Sequence, residues 1–112
     1  MERDQARQII QELCSEISPL FPDGKMEAIL FGSCARGDSE EGSDVDVMLL
    51  VDSSRDEIAE KNWQVGDAAG EILINYGILI SPIVENRSFF TKNMTTIPLF
   101  RNIAREGVQI HV

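Results

Sequence analysis

The chain has 112 residues, of which 43% are hydrophobic and 26% charged, and its net charge is −9. This length fits one domain over residues 1–112, and no apolar run approaches the roughly 20 residues that a membrane-spanning helix needs. The net negative charge disfavours direct binding to nucleic acid, because such binding depends on lysine and arginine displacing counterions from phosphates. The N-terminus lacks the basic-then-apolar pattern of a signal peptide, so we expect a cytoplasmic protein.

The first half of the chain predicts a helix, two buried strands and a short helical turn. Over residues 2–18, apolar residues recur at helical spacing and form one stripe, made of Ile9, Ile10, Leu13 and Ile17. Residues 26–31 and 44–51 are short apolar runs bounded by turn residues, as expected of buried strands. A short helix begins after the first strand, and the polar segment 38–43 is predicted to be a loop.

The second half predicts a long helix, a third strand and two further helices. Residues 54–75 read as a helix capped by Ser53 or Ser54, with an apolar stripe of imperfect register: Ile58, Trp63, Val65, Ala69, Ile72 and Leu73. Residues 77–84 form a β-branched run containing Pro82, which indicates an edge position or a bulge. Residues 88–93 and 98–106 read as two helices, and Gly107 stands where the second would stop. This order predicts an α/β (α+β) fold with helices flanking a small mixed sheet.

Several residues that often perform chemistry are interpreted here as structural. Cys14 and Cys34 lack metal-site spacing, so neither a zinc site nor a disulfide is predicted, and we expect one in the core and one in a loop. His111 lies near the C-terminus without an identifiable partner and is expected on the surface. The aromatic residues in apolar patterns are expected in the core and not on a nucleobase: Trp63, Phe89, Phe90 and Phe100.

A glycine-serine turn carries the first chemical signal. Gly32 follows a strand, and a residue without a Cβ lets the backbone approach a ligand closely. Ser33 adds a hydroxyl beside the free N–H groups of a helix start, which suits phosphate oxygens. Arg36 supplies a forked cation to the same phosphates. Because ordinary turns also use Gly-Ser, the dipeptide alone does not define a site.

A pair of carboxylates carries the second signal. Asp44 and Asp46 are two residues apart on a predicted strand, so both side chains leave the same face, with Cα atoms about 6–7 Å apart. Magnesium prefers oxygen ligands and is usually held by one or two carboxylates together with substrate phosphates. A solvent-facing strand edge is the alternative interpretation, and the pair by itself leaves both open.

Together the two signals resemble a known signature. Gly-Ser-x-Ala-Arg-Gly-Asp, followed by Ser-Asp-x-Asp and an apolar strand, resembles the active site of the minimal nucleotidyltransferase (MNT-type) family of the polymerase-β-like superfamily. The resemblance implies a polymerase-β palm-like fold and the use of Mg²⁺ or Mn²⁺. It assigns nucleotide binding to Gly32, Ser33, Arg36 and Ser43. It assigns the metal and the catalysis to Asp44 and Asp46.

One departure from the family pattern concerns a third carboxylate. Active members generally carry it on a later strand, where it helps to bind the catalytic metal or accepts a proton from the attacking hydroxyl. Alignment places Ser81, or Pro82, at this position. Glu85 is the one acid on that run, about 13 Å further along an extended chain, and a bulge at Pro82 would shorten the distance. The departure weakens the expectation of catalysis more than that of nucleotide binding.

Two functions follow from the resemblance. The first is an enzyme that transfers a nucleoside monophosphate from a triphosphate such as ATP to a hydroxyl and releases pyrophosphate. Such domains often pair with a helical protein of the HEPN class, in some cases as antitoxin to its toxin, and homo-oligomers are a further option. The second is a catalytically weak or inactive module that binds nucleotide and a partner protein, which the missing carboxylate favours. A structural domain with an accidental motif is disfavoured by the length of the signature.

Overall fold

The computed structural model describes residues 3–37 and 44–112. In these two ranges the chain forms α1 (Arg3–Ile17), a 3-10 turn (Ser18–Leu20), β1 (Glu27–Phe31), α2 (Ser33–Arg36), β2 (Val45–Val51), α3 (Arg55–Tyr76), β3 (Ile80–Asn86), α4 (Arg87–Asn93), α5 (Pro98–Glu106) and β4 (Val108–Ile110). The predicted helices and strands are confirmed, whereas β4 was not predicted. The predicted loop at 38–43 lies outside the described residues.

The four strands form one mixed sheet in the order β3-β2-β1-β4. β1 pairs antiparallel with β2 and with β4, while β2 and β3 are parallel and are joined through α3. The end of β1 and the beginnings of β2 and β3 therefore meet at the same edge of the sheet. β3 is an edge strand, which confirms the edge position predicted from Pro82.

Helices cover both faces of the sheet. One face packs against α1 and α3 through a core that includes Ile10, Leu13, Leu30, Val47, Leu49 and Ile72. The other face packs against α4 and α5 through Met48, Leu50, Phe90, Phe100 and Ile103. Each of these buried aliphatic or aromatic side chains contributes about 1.5–3 kcal/mol by leaving water. Because side chains alternate along a strand, Asp46 lies on the same face as Met48 and Leu50.

The ends of α3 set the position of β3. Ser54 caps the helix, since its hydroxyl accepts a hydrogen bond from the backbone N–H of Glu57 while the Glu57 carboxylate accepts one from that of Ser54. This reciprocal capping box identifies Ser54, and not the buried Ser53, as the cap. Gly77 ends the helix in the left-handed conformation (φ 69°) and turns the chain back toward β3.

Candidate functional site

The candidate site lies at the edge of the sheet where three strand termini meet. Asp46 on β2 is paired with Phe31 at the end of β1 on one side and with Ser81 near the start of β3 on the other. The helical turn α2 follows directly after β1, and Asp44 directly precedes β2. Residues far apart in the sequence are thus brought together by strand pairing.

The turn after β1 has the geometry predicted for a close backbone approach. Gly32 has φ 76° and ψ −158°, a conformation that L side chains rarely adopt. Its carbonyl accepts hydrogen bonds from the backbone N–H groups of Ala35 (3.1 Å) and Arg36 (3.2 Å). Ser33, the first residue of α2, is partly exposed. The turn therefore leaves the Ser33 position open to a ligand.

Gly32 packs directly against the carboxylate of Asp46. A Cβ atom placed on Gly32 would lie 2.5 Å from Oδ2 of Asp46. Across the same edge, the Cys34 thiol donates a hydrogen bond to the carbonyl of Asp44 at 3.5 Å. The turn and the carboxylate pair are therefore held against each other as one structural unit.

The prediction that one cysteine lies in the core is confirmed by Cys14, whereas the prediction that the other lies in a loop is wrong, because Cys34 lies in the helix α2. Cys14 is 5% exposed in α1 and Cys34 is 2% exposed in α2. Cys34 is buried because α2 turns its inner side toward α1 and the sheet. Burial raises the pKa of the Cys14 thiol to about 12, so it stays protonated at neutral pH.

Asp44 and Asp46 create a locally unfavourable concentration of negative charge. The pKa of Asp46 is raised, first by burial and then by the charge of Asp44, while Arg36 acts in the opposite direction. Asp44 receives partial compensation from Ser81, whose hydroxyl donates to Oδ2 of Asp44 at 3.4 Å. A bound cation would relieve the repulsion between the two carboxylates.

The donor set at this edge fits a hard divalent cation. It consists of carboxylate and hydroxyl oxygens, which Mg²⁺ and Mn²⁺ prefer. Within the described residues, no group of three or more histidine, cysteine, aspartate and glutamate side chains could hold an ion. An ion bound by Asp44 and Asp46 would therefore complete its coordination with water and phosphate oxygens, as magnesium usually does.

Ser81 pairs with Asp46 and lies beside the carboxylate pair, whereas Glu85 lies four positions further along β3. The pairing of β3 with β2 is continuous from Ile80 to Asn86, so no bulge at Pro82 shortens the strand. Glu85 consequently pairs with Leu50, four positions beyond Asp46. The suggestion of Glu85 as a substitute carboxylate is wrong.

Glu85 has a structural role at the other end of the strand. It is 7% exposed and its carboxylate accepts a hydrogen bond from Nε of Arg55 at 3.2 Å. The backbone N–H of Asn86 also donates to it, at 2.8 Å. The Arg55 guanidinium lies over the ring of Phe89 at 3.8 Å and ties α3 to α4.

We predict that Glu85→Gln destabilises the fold without changing nucleotide affinity. The amide loses the charge that pairs with Arg55 in a largely buried position, at a cost of about 1–3 kcal/mol. Thermal unfolding should show a lower midpoint, and calorimetric titration with magnesium and ATP should give the wild-type affinity. A weaker affinity with an unchanged midpoint would instead place Glu85 in the site.

Two further residues, Arg36 and Ser43, were predicted to bind nucleotide, and the structure describes only the first of them. Arg36 is exposed on α2, forms an ion pair with Glu106 of α5 at 3.8 Å, and is near enough to Asp46 to lower its pKa. Ser43 lies outside the described residues, so its role stays a prediction.

Arg3 makes a contact that the sequence did not predict: its guanidinium donates to the carbonyl of Ala35 and anchors the turn to α1. No local pattern indicates this bond, because the two residues are 32 positions apart.

The aromatic and histidine predictions are mostly confirmed. Phe90 and Phe100 are buried, Phe89 is partly buried and packs edge-on against Phe100, and His111 is exposed. The prediction that Trp63 lies in the core is wrong, because its side chain is 67% exposed. Over residues 3–37 and 44–112, no helix has the length and apolar character required to cross a membrane.

Comparison with known proteins identifies the fold first. A crystal structure described as a putative nucleotidyltransferase from Sulfolobus solfataricus superimposes with a TM-score of 0.62 and 18% sequence identity. The superposition covers 96% of this chain and 80% of that one. The mixed sheet with flanking helices is therefore a nucleotidyltransferase fold, as predicted.

Sequence comparison then gives the family. Residues 6–106 match the family model described as nucleotidyltransferase domain, so the chain belongs to this family. Two Methanocaldococcus jannaschii proteins, both named "putative protein adenylyltransferase", are similar to it. One is 40% identical over 75% of this chain and 83% of its own length. The other is 32% identical over 88% of this chain and 90% of its own length.

Proposed function

We propose that this protein binds a metal–nucleoside triphosphate complex at the edge formed by α2, β2 and β3 and transfers the nucleoside monophosphate to a hydroxyl. The observation that carries the proposal is the contact between Gly32 and the Asp46 carboxylate, with Asp44 beside it. A phosphate-accepting turn and a cation-binding pair of carboxylates lie side by side. A triphosphate that carries its metal ion requires both features at once.

In this proposal each residue has a distinct task. The backbone N–H groups at the start of α2 and the hydroxyl of Ser33 bind the β- and γ-phosphates, and Arg36 adds a positive charge. Asp44 and Asp46 hold the ion. When bound, Mg²⁺ or Mn²⁺ neutralises charge on the phosphates and on the attacking and leaving oxygens. Ser43, which precedes Asp44 in the chain, supports the same phosphates.

The transfer reaction is a displacement at the α-phosphorus. A bond forms between the acceptor oxygen and the α-phosphorus, and the bond from that phosphorus to the bridging oxygen of the β-phosphate breaks. The acceptor hydroxyl gives its proton to water, and pyrophosphate leaves with the electron pair of the broken bond. The protein contributes mainly position and charge neutralisation, because phosphoryl groups need little covalent assistance.

The names of the relatives support a narrower proposal for the substrates. Both are named as protein adenylyltransferases, which points to ATP as donor and to a protein hydroxyl as acceptor. We place that hydroxyl on a helical partner of the HEPN class, with this protein acting in the cytoplasm as the antitoxin-like member of the pair.

A second candidate function is a binding module with little or no turnover. The observation that favours it is Ser81, which pairs with Asp46 and donates to Asp44 but carries no charge. Under this alternative the protein binds nucleotide and a partner without transferring the nucleotide. The two candidates differ in turnover and agree in binding.

Replacing Ser33 with alanine tests the binding that both candidates share. The variant loses one hydrogen bond to phosphate, so the affinity for magnesium and ATP is expected to fall by about 0.5–3 kcal/mol in calorimetric titration. Because Ser33 is partly exposed, thermal unfolding should be nearly unchanged. A variant that melts far below the wild type with normal affinity would identify Ser33 as a structural residue only.

A further inference from the structure

Helix α3 is apolar on two opposite sides. Its inner side is buried against the sheet and α1 through Ile58, Val65, Ala68, Ala69 and Ile72. The opposite side, here called the outer face of α3, consists of Trp63, Gly66, Gly70 and Ile74. Trp63 is 67% and Ile74 is 83% exposed. A helix on a protein surface normally presents polar residues to solvent, whereas this apolar face is left uncovered by residues 3–37 and 44–112.

The shape of the outer face fits another helix. Apart from the neighbouring backbone of α3 itself, a Cβ atom placed on Gly66 or Gly70 would meet no atom of the described residues within 4 Å, so the helix surface is open there. These glycines are four residues apart, and because they have no side chains they form a shallow groove between Trp63 and Ile74. Packed helices normally lie 8–10 Å apart, and small residues at the contact permit the shorter distances.

The apolar surface continues toward β3. Leu73, Leu79 and Ile83 are also exposed, and a cleft of about 490 Å³ lies between the first half of α3 and the outer edge of β3. An added strand is a poor occupant of this edge, because Pro82 removes a backbone donor from it. A helix lying on α3 could place side chains in the cleft.

The charges beside the outer face are acidic. Glu60, Asp67 and Glu71 follow one another at i, i+7 and i+11, and thus form a row along the border of the face. Of the two basic residues of α3, Lys61 donates to the carbonyl of Leu20, and Arg55 lines the cleft, where its charge is paired with that of Glu85. A partner with lysine or arginine along its border complements this row, whereas a second copy of the chain brings the same acids to the contact.

We propose that the outer face of α3 binds an amphipathic helix of another protein, one whose apolar stripe is bordered by basic residues. None of the four residues of the outer face is among those proposed to bind the nucleotide or its metal ion, which belong to α2, to β2 and to the segment directly before β2. The proposal therefore stands or falls independently of the transfer reaction.

Trp63 provides a direct probe, because it is the one tryptophan of the chain. The test uses two synthetic helical peptides as long as α3 (22 residues), each with a leucine and alanine stripe, one bordered by lysine and the other by glutamate. The lysine peptide should shift Trp63 emission to the blue and bind at least about tenfold more tightly than the glutamate peptide, with a dependence on salt. Equal affinities would overturn the proposal.

A variant that fills the groove between Trp63 and Ile74 distinguishes a loss of peptide binding from a loss of folding. Gly66→Leu with Gly70→Leu should reduce the affinity for the lysine peptide at least about tenfold, because leucine side chains occupy the space a partner needs. Leucine favours helices more than glycine, so the variant should melt no lower than the wild type. Ala104→Leu, on the exposed side of α5 across the sheet, is the matched control and should bind normally.

Two outcomes of this series contradict the proposal. One is an unchanged affinity in the double variant. The other is dimerisation of the chain at micromolar concentration, measured by sedimentation, that buries Trp63 and disappears in the double variant. The second result would assign the face to another copy of this chain.

Discussion

Replacing Asp44 and Asp46 together with asparagine is expected to abolish measurable binding of magnesium and ATP. Two charged ligands are lost, and at about 1.5–3 kcal/mol for each charged contact the affinity falls by about 10²-fold or more. Calorimetric titration with Mg²⁺, or with Mn²⁺, in the presence of ATP measures the effect. We expect weak metal binding without nucleotide even in the wild type, because two carboxylates leave most of the six positions of magnesium to water.

The fold should survive this change. Asparagine has nearly the same shape as aspartate, and burial together with the charge of Asp44 already raises the pKa of Asp46, which means that the ionised pair is unfavourable in the folded protein. Without metal, the double variant should unfold at the wild-type temperature or above it. The matched control is Asp67→Asn with Glu71→Gln on α3, which removes two exposed acids and should leave affinity unchanged. Wild-type affinity in the Asp44 and Asp46 variant would remove the basis of the proposed site.

Replacing Ser81 with aspartate is expected to increase the release of pyrophosphate by about 10²–10⁴-fold, the range typical of one catalytic acid or base. Ser81 pairs with Asp46, donates to Asp44, and is partly exposed at the site edge, so an acid at this position joins the carboxylate pair. In the wild type, the serine supplies neither a negative ligand nor a proton acceptor of suitable strength. Steady-state assays with magnesium, ATP and an acceptor protein measure the change.

Two further variants make the result specific. Ser81→Asn has the shape of aspartate without its charge, and Ser81→Ala removes the hydroxyl, so neither should increase turnover. Rapid magnesium-dependent transfer by the wild-type protein, unaffected by Glu85→Gln, would demonstrate that two carboxylates are sufficient. It would also exclude the interpretation of this protein as a weak or inactive module.

Much of the fold could be predicted because its signals are local. The stripe of α1, the apolar runs of β1 and β2 and the serine cap of α3 all depend on spacing within a few residues. β4 escaped prediction because its three residues are too few for a periodic pattern and gain their structure from pairing with β1. Trp63 and Leu73 were misplaced because apolar content was taken as burial, although α3 has apolar residues on two sides.

The candidate site was predictable only in part. The turn and the carboxylate pair are close in sequence, so their proximity follows from one turn and one strand. The position of Ser81 beside the pair could not be predicted in this way, because it depends on the register between two parallel strands that are joined through the 22-residue helix α3. No local pattern fixes such a register, and this is why Glu85 remained a candidate until the pairing was known.

The contact between Gly32 and Asp46 also constrains how this sequence can vary. A methyl group at position 32 would both strain the backbone, at φ 76°, and push the Asp46 carboxylate aside. The two positions are therefore expected to change together during evolution. A smaller residue at 46 removes the clash with a side chain at 32 but not the backbone strain at φ 76°, and it removes the carboxylate as well. A descendant that has abandoned the site should carry both changes, while glycine at 32 beside aspartate at 46 marks lineages still under selection to keep it.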